Sequence, residues 1–181
     1  GSPESVADRH HQQAARCAEP DADASLRVVV LAGRGRHFAA GADLNWMRRA
    51  SSYGEAENLE DSRRFARMLR ALSEMSKPTI ARVQGAALGG GTGLAAACDM
   101  AVASANAVFS TSEVKFGIIP AVISPYVLRA IGPRQALRYF QTAERISSDK
   151  AQAIGFVNQR TAAAHFDPRV HHFLGAGIAG R

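Results

Sequence analysis

The chain has 181 residues, 46% of them hydrophobic and 21% charged, with a net charge of +6. That length suits a single domain able to bury roughly 70% of its unfolded surface without staples, and the composition excludes a wholly disordered or low-complexity chain. The basic balance favours anionic partners such as phosphate-bearing cofactors or nucleic acid, yet the charge is not gathered into a basic run.

No run of about 18 apolar residues occurs, so no membrane span is expected. Cys17 and Cys98 form neither a CxxC pair nor a disulfide framework. A reduced, cytoplasmic setting without structural zinc is therefore expected. Gly1-Ser2-Pro3 lacks a signal-peptide shape and reads as a cloning remnant. His10, His11, His165, His171 and His172 all lie in the flanks, where adjacent histidines read as solvated side chains rather than metal ligands. The organised part runs over about 25–158, with 1–24 and 159–181 as unpatterned flanks.

In chain order, Leu26–Gly33 is a continuous apolar run ending in glycine, which predicts a strand buried on both faces. A loop follows. Phe65, Met68, Leu69, Leu72 and Met75 then recur at helical spacing, with Arg63, Arg64, Arg67 and Arg70 on the solvated side. Lys77-Pro78 stops that helix, because proline disfavours the α region in the residue before it. Thr79–Gly85 reads as a strand. The alanine-rich stretch after Gly89-Gly90-Gly91 reads as a helix packed close by its backbone. Short strands are expected from Asp99 onward and at Ala107–Ser110. Pro133 opens a helix. Ser147 or Ser148 caps another, closed by Gly155.

The triple glycine follows a strand and precedes a helix. Such a turn can offer backbone N–H groups to an anion or an oxyanion, or it can simply permit tight packing. It is no P-loop, since Gly-Lys-Ser/Thr is missing, and the dinucleotide spacing is absent too. A second loop, Ala39–Asp43, also leads into a probable helix, so two loops could aim N–H groups at one oxygen. Glu113 sits among apolar residues. It is either a helix-start residue paired with Lys115 or an N–H, or a general base with a raised pKa.

The strings HFAAGADLNWM, KPTIARVQGAALGGGTGLAAACDMAVAS and FSTSEVKFGIIPAVISPYVLRAIG, in this order, resemble the enoyl-CoA hydratase/isomerase (crotonase) family over about Leu26–Val157. The last string together with GGGTGL is most similar to the bacterial methylglutaconyl-CoA hydratase branch. The resemblance implies an α/β fold, a crotonase-like spiral of ββα turns, here truncated at both ends. It also implies assembly as a homo-trimer or a dimer of trimers.

The resemblance places the oxyanion-hole N–H groups on Ala42 and Gly90, and the catalytic glutamate on Glu113. It assigns Ala121 and Gly93 to positioning water or substrate, and Ala40, Asp43, Leu44 and Gly89 to substrate binding. The family's other catalytic glutamate falls on Gly93, so one carboxylate is missing. The branch tends to carry glycine there as well. The implied activity is hydration of a 2-enoyl-CoA, with Glu113 activating water and returning a proton to the α-carbon. The alternatives are an enoyl-CoA isomerase, which needs one proton shuttle, or a catalytically impaired crotonase-like binding protein.

No metal or redox cofactor is implied, coenzyme A being part of the substrate. Arg34 and Arg36 read first as solvated loop charges and second as contacts for its phosphates. Nucleic acid is not expected, because no aromatic platform interleaves the basic residues. The flanks match no family element, which suggests truncation, divergence or, from their histidines, a shifted reading frame.

Overall fold

The computed structural model describes residues 23–41 and 52–162. Seven strands and four helices alternate along them: β1 Val29–Ala32, α1 Glu55–Ser73, β2 Thr79–Val83, β3 Ala86–Leu88, α2 Gly90–Ala97, β4 Met100–Ser104, β5 Val108–Ser110, α3 Ser124–Thr142, β6 Ile146–Ser147, α4 Ser148–Ala153 and β7 Gln159–Thr161. A 3₁₀ turn, Ser112–Phe116, follows β5.

One sheet has the order β1-β2-β4-β7 with every pair parallel. The other has the order β3-β5-β6. Ile80 lies beside Met100 in the first sheet, and Ala86 beside Val108 in the second. Each turn of chain thus lays one strand in each sheet before its helix, and β2-β3-α2 is followed by β4-β5-α3. This is the stack of ββα units that the motifs imply. The first sheet also takes up β7, past residue 158.

The arrangement follows from local chemistry. Gly54 precedes α1 and donates its N–H to Glu57 Oε2 at 3.1 Å, the half of a capping box that needs no side chain at the N-cap. Glu55 and Glu57 in the first turn and Arg70 in the last complement the helix dipole. α1 buries Met68, Leu69 and Leu72, as the spacing predicts. α2 buries Gly91, Thr92, Gly93, Ala95, Ala96 and Ala97, so its small residues let the backbone sit close to its neighbours. Leu69, Val83, Phe109, Val127 and Tyr139 fill the core between helices and sheets, and the Phe109 and Phe156 rings pack with centroids 4.9 Å apart. Asp99 Oδ2 accepts from both the N–H and the hydroxyl of Thr79, each at 2.8 Å, tying β2 to the head of β4.

Two expectations need correction. β1 is not buried on both faces. Val29 and Leu31 are half-buried while Val30 and Ala32 are exposed, so the strand alternates with one open face. The helix expected to open at Pro133 has an earlier segment starting at Ser124. The two join at Gly132, whose φ of 73° and ψ of 162° break the helix, and Pro133 begins the second segment. Ser147 is the cap of α4, accepting from Lys150 N–H at 3.3 Å, and Gly155 closes that helix at φ +82°.

Candidate active site

The triple-glycine turn is held on three sides. Gly89 has φ +53° and ψ −119°, a conformation that glycine enters without the steric cost of a Cβ. Its N–H donates to Ser110 O at 2.8 Å, and its carbonyl accepts from Gly93 N–H at 3.2 Å. Thr92, buried beneath, fixes the turn to β3 and β5 of the small sheet. Its Oγ1 lies 2.7 Å from Ala87 O and 3.0 Å from Ser110 O, and accepts from Ser110 N–H at 3.2 Å. Gly90 N–H is the first of α2. It lies beyond the reach of an intrahelical carbonyl and has no acceptor among the described residues.

Close approach explains why these positions are glycine. A Cβ on Gly90 would lie 3.0 Å from Cζ of Phe65, reaching over from α1. One on Gly91 would lie 2.6 Å from Ala39 Cβ. Ala39 itself runs beside β3, donating to Ala86 O at 3.0 Å and accepting from Leu88 N–H at 2.9 Å. The chain entering the second loop is therefore brought against the first, and Ala40, exposed, emerges next to it. Ala42, Asp43 and Leu44 lie outside the described residues, as do the histidine pairs of the flanks. His37 Nδ1 accepts from Ala86 N–H at 3.1 Å, a local tie of the loop to β3.

Glu113 stands on the 3₁₀ turn after β5, which Gly117 closes at φ 72°. Its carboxylate faces the glycine turn: a Cβ on Gly89 would lie 3.5 Å from Glu113 Oε1. Oε2 is shielded from solvent and meets no donor among the described residues. Burial pushes the carboxyl above its ordinary value of 4.5, against a smaller lowering from its own backbone N–H. An acid in this state is easily protonated and lacks a partner for one oxygen, which suits proton exchange with a bound molecule. The apolar residues beside Glu113 in the sequence are Val114, Phe116 and Ile118. These side chains are exposed, Phe116 by 62% and Ile118 by 58%. With Ile119 they make an exposed apolar flank.

Two positions differ in detail from their expected roles. Ala121 N–H, assigned to holding water, donates to Ile119 O at 2.8 Å and is already engaged. Gly93 is buried, and a Cβ there would run into Ile123 Cγ2 and lie 2.7 Å from Ile123 Cβ. The space a second carboxylate would need is filled by Ile123. Thr92 and Phe65 were not read as site residues. Within an alanine-rich stretch and an amphipathic pattern, they carry no signal beyond their type.

The profile of the enoyl-CoA hydratase/isomerase family matches residues 14–172. The chain belongs to this family. The match runs beyond the 25–158 core on both sides. The 2,3-dehydroadipyl-CoA hydratase of Escherichia coli is 39% identical over 137 residues, covering 75% of this chain and 52% of that protein. The crotonyl-CoA hydratase of Syntrophomonas wolfei is 36% identical over 155 residues, covering 84% and 58%. An enoyl-CoA hydratase crystal structure from Shewanella pealeana superposes with a TM-score of 0.89 at 40% identity, covering 92% of this chain and 62% of that one. The chain thus has the crotonase fold of its enoyl-CoA hydratase/isomerase relatives, and it spans little more than half the length of the curated proteins it matches.

Proposed function

We propose that the protein hydrates a 2-enoyl-CoA thioester of the methylglutaconyl type, using Glu113 as the single acid–base group. The observation that carries this reading is the placement of a partly desolvated carboxylate against the glycine turn that presents Gly90 N–H. The hydratase names of its relatives agree with it.

In this reading the thioester carbonyl accepts hydrogen bonds from Ala42 N–H and Gly90 N–H. Glu113 takes a proton from water, and the hydroxide oxygen bonds to the β-carbon. The double-bond electrons shift toward the thioester oxygen, giving an enolate that the two N–H groups stabilise. Glu113 then delivers its proton to the α-carbon, so water is added and the carboxylate is restored. Each N–H donor contributes on the order of 3 kcal/mol to lowering the barrier. The reading includes assembly into trimers or a dimer of trimers, for which the exposed flank of Phe116, Ile118 and Ile119 supplies an apolar surface.

A second reading, enoyl-CoA isomerase, is favoured by one observation: Ile123 occupies the space beside Gly93, leaving Glu113 as the one carboxylate at the turn among the described residues. Moving a double bond needs only one proton carrier. Methylglutaconyl-CoA and a 3-enoyl-CoA, supplied separately in ¹⁸O-labelled water, discriminate. Label in the product of the first supports hydration, and conjugation of the second without label supports isomerisation. Turnover undiminished in Glu113→Gln would sink both.

A further inference from the structure

Between α1 and the start of α3 lies a groove of about 410 Å³, within the size range of small-ligand sites. Its floor is aliphatic and aromatic, from Ala66, Val122, Pro125 and Tyr126, and one wall is a row of arginines, Arg63, Arg67 and Arg70.

The groove adjoins the proposed active site on both walls. α1 also carries Phe65, whose ring lies over Gly90. The opposite wall includes Ala121 and Val122, on the chain that leaves the Glu113 turn, just before Ile123 abuts Gly93. The arginines are unequally engaged. Arg67 donates to Glu60 Oε1 at 2.8 Å, an oxygen also 3.4 Å from Arg64. Arg70 pairs with Glu74 at 2.9 Å. Arg63 has no carboxylate within ion-pair distance among the described residues and is exposed. Its forked guanidinium matches a carboxylate better than any other side chain does.

We propose that this groove takes the far end of the acyl chain and that Arg63 pairs with a carboxylate there. It makes the protein selective for CoA thioesters whose acyl chain ends in a carboxylate. The inference rests on the acyl-CoA reading above.

Calorimetric titration of the full chain with glutaryl-CoA and valeryl-CoA tests it, since the two share an acyl-chain length and neither can be hydrated. Glutaryl-CoA is expected to bind about fivefold tighter, as a partly exposed ion pair would give. Arg63→Gln should bring glutaryl-CoA down to the valeryl-CoA affinity and leave valeryl-CoA unchanged, while Arg63→Lys keeps part of the preference. Because Arg63 is exposed and without an ion-pair partner among the described residues, its variants should unfold at the wild-type temperature. Equal wild-type binding of the two thioesters, or a preference that survives in Arg63→Gln, overturns the assignment of the groove alone. Binding of neither thioester overturns the acyl-CoA reading and this inference with it.

Discussion

Glu113 and Gly89 face each other so closely that a methyl group on Gly89 would lie 3.5 Å from Glu113 Oε1 and 3.7 Å from Ser112 Oγ. The loop that positions the N–H of Gly90 therefore also forms the wall behind the Glu113 carboxylate.

Gly89→Ala tests that arrangement. With φ +53° and ψ −119°, an alanine would be strained by about 1–3 kcal/mol. Its methyl group would rest in ordinary van der Waals contact with the carboxylate, so the strain is in the backbone. Urea unfolding should show a loss of that size, and any turnover should fall along with it. An unchanged unfolding midpoint would refute the strained turn.

Glu113→Gln should change the dependence of stability on pH. The folded chain holds the Glu113 proton above the ordinary value of 4.5, so folding is favoured by protonation. The charged form costs stability as pH rises above 4.5, and the cost is complete above the raised value. The glutamine variant avoids that cost. Relative to wild type it should gain stability as the pH is raised through and above 4.5, as measured by paired urea melts. The same difference at each pH would contradict the desolvated carboxylate.

Gly93→Ala should destabilise the fold by about 1–3 kcal/mol, because the added methyl overpacks against Ile123. Ile123→Ala alone should cost more, about 2–5 kcal/mol, by leaving a cavity. The double variant should cost less than the sum, since one change fills what the other empties. Simple additivity in thermal melts would show that the two do not share a site.

Thr92→Val keeps the shape of the side chain but removes the hydroxyl that ties α2 to Ala87 and Ser110. Ser110 O keeps Gly89 N–H, but taking the hydroxyl away from Ser110 N–H should cost about 1–3 kcal/mol. Amide exchange should quicken first at Gly89 and Ser110, where the tie is lost. Protection unchanged at both would argue against this role for Thr92.

Much of this was legible in the residues, for physical reasons. The period of Phe65, Met68, Leu69 and Leu72 marks α1 because its buried stripe follows the helical repeat. Pro78 and Gly155 mark boundaries because of what their backbones disallow or permit. The start of α1 at Glu55 carried no apolar period, since its first turns are solvated. β3 was missed because Ala86-Ala87-Leu88 has no strand preference of its own; pairing with β5 and with Ala39 makes it extended. The first part of α3 was hidden by Gly132, which reads as a terminator but here joins two segments. At the site, the glycines and Glu113 stood out by type and spacing. The engagement of Ala121 N–H and the plugging of Gly93 by Ile123 did not, because both depend on residues meeting in three dimensions.

The contact between Gly93 and Ile123 also bears on how such a site could change over generations. Placing an acid at position 93 is not a single step from this sequence, since the isoleucine must shrink as well. Either change taken first passes through a poorly packed intermediate. The layout with one carboxylate is in that sense a ratchet, held by a hydrocarbon side chain that takes no part in the chemistry.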